Sequence, residues 1–245
     1  MAYRYNAPKI TTPRVTFSYP KITEPDYGST QHPDPDGSFK VNAILKKDSP
    51  EFDFMIKKLQ PLFDEALAEA HEAFKELKVD SRRRLEKENG KGGLKVNDLY
   101  TETYDEETEE PTGDVIFKFK TKAGGTIKSG PKKGKEWSRS VPVFDAKGRL
   151  MKTIPAIWGG TVGKISFKPT PYFISGSGGV GLKLNLDAVQ IIALVSGGAG
   201  TADSYGFGEE EGYEYDPSPP KGPDADDDDE FDKPTPEGDD GAENF

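Results

Sequence analysis

The segment 180–195 constrains the fold of this chain more than any other. Val180, Leu182, Leu184, Leu186 and Ala188 alternate onto one face, and Val189, Ile191 and Val195 then fall on the other. Alternation with period two marks a strand with one buried face. A change of phase near Ala188-Val189 implies a bulge or sharp bend, as a strongly coiled strand requires. Shorter runs repeat the alternation. Val15, Phe17 and Tyr19 stand against Arg14, Thr16 and Ser18, and Phe39, Val41 and Ala43 alternate with Lys40 and Asn42. Segment 116–120 alternates aromatics with lysines, and 140–144 and 163–167 are further strand candidates. Pro25-Asp26-Tyr27-Gly28 and Pro33-Asp34-Pro35-Asp36-Gly37 are turn chemistry.

One helical block interrupts this grammar. Ser49-Pro50-Glu51 supplies an N-cap serine and a proline at the first helical position. Apolar residues from Phe52 to Leu77 then recur at spacings of three and four, with Pro61 expected to kink or split the helix. The expected fold is mainly β: an OB-fold-like five-stranded barrel with a helix inserted between strands 2 and 3. Residues 1–13 read as a loose arm and 80–113 as a charged insertion. The folded domain is expected over 1–208, with a disordered acidic C-terminal tail over 209–245. Pattern alone does not fix the strand order.

Charge divides the chain in the same place. Segment 209–245 holds sixteen Asp or Glu against Lys221 and Lys233, a net of −14, whereas 1–208 carries +4. Like-charge runs stay solvated and often act as interaction tails. The tail includes Asp226, Asp227, Asp228, Asp229, Glu230 and Phe231 and ends on Phe245. An acidic tail on a basic body implies a polyanion-binding surface that the tail can shield. The other reading is a solubility tail on an unrelated domain.

The basic charge is concentrated. Over 116–168 there are thirteen Lys or Arg and two acids, a net of +11, interleaved with Phe117, Phe119, Trp137, Phe144, Trp158 and Phe167. Tyr172 and Phe173 follow. Single-stranded nucleic acid asks for this mixture, cations to follow phosphates and flat rings on which bases stack. Phe117, Phe119 and Phe167 sit at strand alternation and read as core rather than as ligands. The candidate DNA-binding residues are Lys118, Lys120, Lys122, Lys132, Lys133, Lys135, Trp137, Arg139, Trp158, Lys164, Lys168, Tyr172 and Phe173. Trp158 reads equally as a packed anchor, and Lys118 and Lys120 equally as a solvated sheet face.

Other chemistries find no support. With no cysteine and only His32 and His71, thiol nucleophiles, zinc sites and histidine-based triads lack their parts. Gly176–Gly181 matches GxGxxG, but a β-patterned run follows it and no helix presents amides to a pyrophosphate. Gly159–Lys164 has the wrong spacing for a phosphate loop, and Ile165 stands where a hydroxyl is needed. No catalytic constellation and no cofactor are called for. No run of about 18 apolar residues and no signal pattern occur, so a soluble, intracellular protein with no membrane role is expected.

Several short pieces, in collinear order, resemble one family. They are Pro25-Asp26-Tyr27-Gly28, Gly37-Ser38-Phe39-Lys40-Val41, Lys47-Asp48, Phe117-Lys118-Phe119-Lys120 and Asp145-Ala146-Lys147-Gly148. They continue with Ile154-Pro155-Ala156-Ile157-Trp158-Gly159-Gly160, Pro171-Tyr172 and Gly181-Leu182-Lys183-Leu184-Asn185-Leu186, and close on the acidic tail with its terminal phenylalanine. In this the chain resembles the single-stranded DNA-binding proteins of T-odd coliphages and related bacteriophages. The resemblance implies an OB-fold that binds single strands during phage replication, recombination and repair, protecting them and promoting annealing. It also implies a homodimer, in the cytoplasm of the infected bacterial host. The tail would occupy the DNA groove in the free protein and dock on the replicative DNA polymerase and primase-helicase. Tyr172 would lie in the DNA-binding region, and Phe245 would be the family's terminal aromatic. Segment 80–113 and the Lys132-Lys133 loop have no clear counterpart. The alternative is an acidic-tailed protein-interaction or chaperone-like module without direct DNA binding. It is disfavoured because a chaperone surface needs exposed apolar patches more than lysines.

Overall fold

The computed structural model describes residues 7–196. In chain order the elements are β1 (Ile10–Thr11), β2 (Val15–Gly28), β3 (Pro33–Lys46), α1 (Pro50–Lys75), α2 (Val79–Asn89), β4 (Lys95–Val96), β5 (Thr101–Tyr104), β6 (Pro111–Lys122), β7 (Gly124–Thr126), β8 (Glu136–Ser138), β9 (Val143–Phe144), β10 (Val162–Ile174) and β11 (Gly179–Ala193). The acidic segment 209–245, with the tail residues Asp226 to Phe231 and Phe245, lies outside the described residues.

Five strands close into a barrel of OB type. β2 pairs antiparallel with β3, and β3 with β6. β6 meets β11 in parallel at Phe119 opposite Leu184. β11 runs antiparallel to β10, which returns to β2 through Val162–Thr16 and Gly163–Val15. Closure removes the sheet edges that an open array of this size would expose. The alternating residues of the sequence fill the interior: Phe17, Val41, Phe117, Phe119, Ile165 and Phe167 are fully buried. Phe119 and Phe167 meet edge to face at 4.8 Å between centroids.

Helix α1 lies between the second and third barrel strands in sequence, as expected. The Ser49 hydroxyl accepts a 3.1 Å hydrogen bond from the Phe52 amide, and Pro50 opens the first turn. Phe52, Met55 and Leu59 join the barrel core, with Phe52 edge to face against Tyr100 at 5.2 Å. Further along, Ala66, Ala70 and Phe74 are also buried. The helix is not split at Pro61, which sits on the exposed side of a continuous element. There the carbonyl left without a donor faces water, which limits the penalty.

The structure corrects some of the other expectations and adds detail to the rest. The arm 1–13 contains β1, which pairs with β10. Thr12 extends that contact, its amide donating to the Ile165 carbonyl and its hydroxyl accepting from the Ile165 amide, both at 2.9 Å. The insertion 80–113 holds α2, β4 and β5. The motifs 25–28 and 33–37, read as turns, form the ends of β2 and β3. Gly28 and Gly37, at φ +81° and +64°, supply backbone that a regular strand does not use. The phase change in β11 is real and falls at Asp187, which is skipped where Ser166 pairs with Ala188 and Phe167 with Leu186.

Gly163 marks the tightest point of closure. A Cβ there would lie 2.4 Å from the Gln190 carbonyl oxygen and 2.5 Å from the Phe17 ring. Gly163→Ala is therefore expected to destabilise the barrel by about 1–3 kcal/mol, the usual cost of overpacking. A lowered Tm with the circular dichroism spectrum retained is the check; an unchanged Tm would show that β10 can move away from β2.

Candidate nucleic-acid interface

The register of three strands builds a cationic outer face. Across β2, β3 and β6 the residues that alternate with the core positions fall into rows: Ser18, Asn42 and Lys118; Lys21, Lys40 and Lys120; Asp26, the covered Ser38 and Lys122. The same alternation that sends Phe117 and Phe119 into the core turns Lys118, Lys120 and Lys122 outward. Further round the barrel, β10 and β11 carry Lys168 beside Asn185 and Thr170 beside Lys183.

Two concavities lie on this surface. The first, about 740 Å³, is lined by Tyr19, Pro20, Lys21, Lys40, Asn42, Lys118, Lys120 and Trp158 among others. The second, about 450 Å³, is lined by Thr121, Lys122, Trp137, Arg139, Lys168, Thr170, Lys183 and Asn185 together with Ala7. Lys120 borders the first and Lys122 the second, two residues apart on β6. The two basins therefore adjoin along one strand.

Carboxylates from the β2–β3 hairpin already hold part of the lysine row. Asp26 pairs with Lys40, Asp34 with Lys120 at 3.2 Å, and Asp36 with Lys122. The Lys40 ammonium, followed by the Gly28 amide, holds the Asp26 carboxyl below its ordinary pKa. Partial burial pushes Asp34 upward, but hydrogen bonds from Lys120 and Ser38 outweigh it and leave the carboxyl low. The bond to Asp36 raises the Lys122 pKa. Lys183 is held below the ordinary lysine value by partial withdrawal from water and by repulsion from Lys120, Lys122 and Arg139. Cations gathered this closely favour a polyanion as their partner.

Trp137 reaches the second basin from the β7–β8 hairpin. It lies opposite Gly125, with the Arg139 guanidinium 5.2 Å from its ring centroid. Arg139 in turn donates to the Thr121 hydroxyl at 3.0 Å. Trp158 is exposed rather than packed, at 56 %. Its loop is pinned to β2 by the Gly160 amide on the Phe17 carbonyl, 2.9 Å, and the Phe17 amide on the Thr161 carbonyl, 2.8 Å.

Of the residues singled out from sequence, Lys118, Lys120 and Trp158 border the first basin, and Lys122, Trp137, Arg139 and Lys168 the second. Lys132, Lys133 and Lys135 stand exposed on the loop of the β7–β8 hairpin. Lys164 is on the outer side of β10 but borders neither basin. Tyr172 shares the outward row of Lys168 and Thr170, and its hydroxyl lies over Gly181, where a Cβ would come within 2.9 Å of it. Phe173 has the opposite, inward parity. Sequence reasoning missed Tyr19, Lys21, Lys40, Asn42 and Lys183. Lys40 and Lys183 carried a signal, since each occupies the polar phase of its strand, whereas Lys21 continues the phase of Val15 and Phe17 and is turned outward only by the register slip before it.

Comparisons with known proteins point to one family. The family model for the single-stranded DNA-binding protein of bacteriophage T7 matches residues 15–194. The single-stranded DNA-binding protein of Escherichia phage T7 is 29% identical over 198 residues, spanning 80% of this chain and 79% of that one. That of Enterobacteria phage T3 is 28% identical over 197 residues, spanning 79% of each. The crystal structure of gp2.5, a single-stranded DNA-binding protein encoded by bacteriophage T7, superposes with a TM-score of 0.57 at 25% identity, covering 86% of this chain and 100% of that one. The chain thus belongs to the family of phage single-stranded DNA-binding proteins represented by that of bacteriophage T7.

Proposed function

We propose that this protein binds single-stranded DNA without regard to sequence during phage replication, recombination and repair, protecting the strand and promoting its annealing. The function is binding, not catalysis. The observation that carries the proposal is the outer face of β2, β3 and β6, where Lys21, Lys40, Lys118 and Lys120 border one basin with the exposed Trp158 and Lys122 borders the next. On a barrel of this type the face of the second and third strands is the one that takes oligonucleotides. Lysines track phosphates whatever the sequence, and every base has a face to stack.

The acidic segment 209–245 completes the proposal. A −14 segment tethered to a body with a +11 stretch has a high effective concentration there and competes as an intramolecular polyanion. DNA would displace it and free it to dock on replication proteins such as the polymerase and primase-helicase. The protein would act as a homodimer in the cytoplasm of the infected host. These roles follow from charge and from family resemblance.

The test is fluorescence anisotropy of a labelled oligo-dT, comparing the full chain with one ending at Gly208 across a salt series and against duplex competitor. Tight binding by both, stronger for the shorter chain at low salt, is expected, with the difference narrowing as salt screens the tail. Equal affinities at low salt would remove the masking role. No binding by either would remove the DNA reading.

A further inference from the structure

We propose that Tyr19 and Trp158 form a stacking subsite for one unpaired nucleobase, at the end of the cationic face where Lys21 and Lys118 border the same basin. The proposal rests on the reading of this face as a single-strand surface and deepens it.

Tyr19 occupies a backbone conformation that does nothing for a tyrosine. Its φ is +46°, in the left-handed region where a bulky side chain is strained. The residue is 81 % exposed, so little burial offsets that strain. Glycine would take this conformation at no steric cost. Strain of this kind gathers at ligand clamps, and an observed outlier points toward function.

The cause of the conformation is a bulge. Ser18 pairs with Asn42 and Lys21 with Lys40, so β2 uses three steps where β3 uses two. Pro20 lies within that span, where the ladder is already interrupted and its missing amide does no harm. The extra residue moves Tyr19 off the inward phase set by Val15 and Phe17, and Ile22 enters the core in its place.

Trp158 is brought to the same basin from a different part of the chain. The loop 158–161 hydrogen-bonds both polar groups of Phe17, two residues before Tyr19, and the Trp158 amide donates to the Val195 carbonyl at 2.9 Å. Gly160, at φ +87°, makes that turn possible. Two exposed rings thus border one concavity that also holds Lys21, Lys118 and the Asn42 amide. Rings for a base, ammonium groups for its phosphates and an amide for its edge are the parts a nucleotide needs. A base paired in a duplex has both faces stacked already, so the subsite selects single strands.

The test uses the full chain. A short oligo-dT carrying 5-iodo-deoxyuridine is bound and irradiated, and the adducts are mapped by mass spectrometry. Adducts on Tyr19 or Trp158 are expected. Adducts confined to other residues, such as Trp137 or Tyr172, would overturn the subsite while leaving the DNA reading intact. Absence of binding by the wild type would overturn both. In parallel, Tyr19→Ala and Tyr19→Gly are each expected to weaken oligo-dT binding about 5- to 100-fold, the range for one stacked base. Neither should change affinity for an abasic oligonucleotide of the same length, and Tyr19→Phe should bind as the wild type does. Tyr19→Gly relieves the backbone, so its Tm should match or exceed that of the wild type. A Tyr19→Gly protein with full affinity for oligo-dT would show that the ring stacks on nothing.

Discussion

Replacing Lys118, Lys120 and Lys122 together with alanine is expected to weaken oligo-dT binding by about two orders of magnitude at low salt. All three project from the exposed side of β6, and truncating them beyond Cβ leaves Phe117 and Phe119 in place. A large loss of affinity with little change in Tm is therefore the expected pair of results. If each lysine neutralises one phosphate, the slope of log K against log salt should become shallower by about 2, at roughly 0.7 per phosphate on single strands. The variant also leaves Asp34 and Asp36 without their lysine partners, adding uncompensated negative charge to the face. The matching control removes Lys75, Lys78 and Lys87, which are exposed on or beside the helices, and should leave binding nearly unchanged. Equal loss in both variants would mean that only net charge matters. No loss in the first would move the strand off β6 altogether.

The barrel was readable in the sequence where alternation runs unbroken and each inward residue is apolar. β6 is the clearest case, because Val115, Phe117 and Phe119 are buried and Ile116, Lys118 and Lys120 are not. β11 was readable even through its bulge, since the leucines of one phase hand over to Val189 and Ile191 of the other. Helix α1 declared itself by its cap and by burial at three- and four-residue spacing. The elements that stayed hidden are those with almost nothing to bury. α2 contributes only Leu85 to the interior, so it has no apolar stripe to detect. β1 has two residues, with only Ile10 buried.

The site was legible in kind more than in detail. The lysines of β6 and Trp158 were found because charge and aromatic density are properties of composition. Tyr19 was assigned to the core face because alternation from Val15 and Phe17 carries straight to it, and the slip that redirects its ring shows only in the pairing with β3. The carboxylates of the β2–β3 hairpin were read as turn residues. Asp26 does accept a 2.7 Å hydrogen bond from the Gly28 amide, as turn chemistry suggests. Its second partner, Lys40, lies across the sheet, and sequence separation conceals such contacts. The same holds for Asp34 and Asp36, each 86 positions from its lysine.

Those carboxylates lead to the second large effect: Asp34→Asn with Asp36→Asn is expected to tighten oligo-dT binding about 3- to 10-fold at low salt. In the free protein both acids occupy lysines that phosphates would otherwise take, so a strand must displace them. The pairs are exposed enough for exchange, with Lys120 and Lys122 at 53% and 54% side-chain exposure, and exposed ion pairs are weak. Asp34 is held below its ordinary pKa of 3.8, so its contact is complete at neutral pH. Whatever stability the contact contributes is lost only as pH falls through that depressed value. The asparagine pair reproduces the uncharged state without acid. Two freed lysines should steepen the salt slope by up to about 1.4, at roughly 0.7 each, while Tm falls slightly or not at all. The opposite result is also informative, because a carboxylate can orient a lysine as well as occupy it. If the double variant binds more weakly with an unchanged Tm, Asp34 and Asp36 hold Lys120 and Lys122 in the positions the strand needs, and the hairpin is a scaffold for the face rather than a competitor for it.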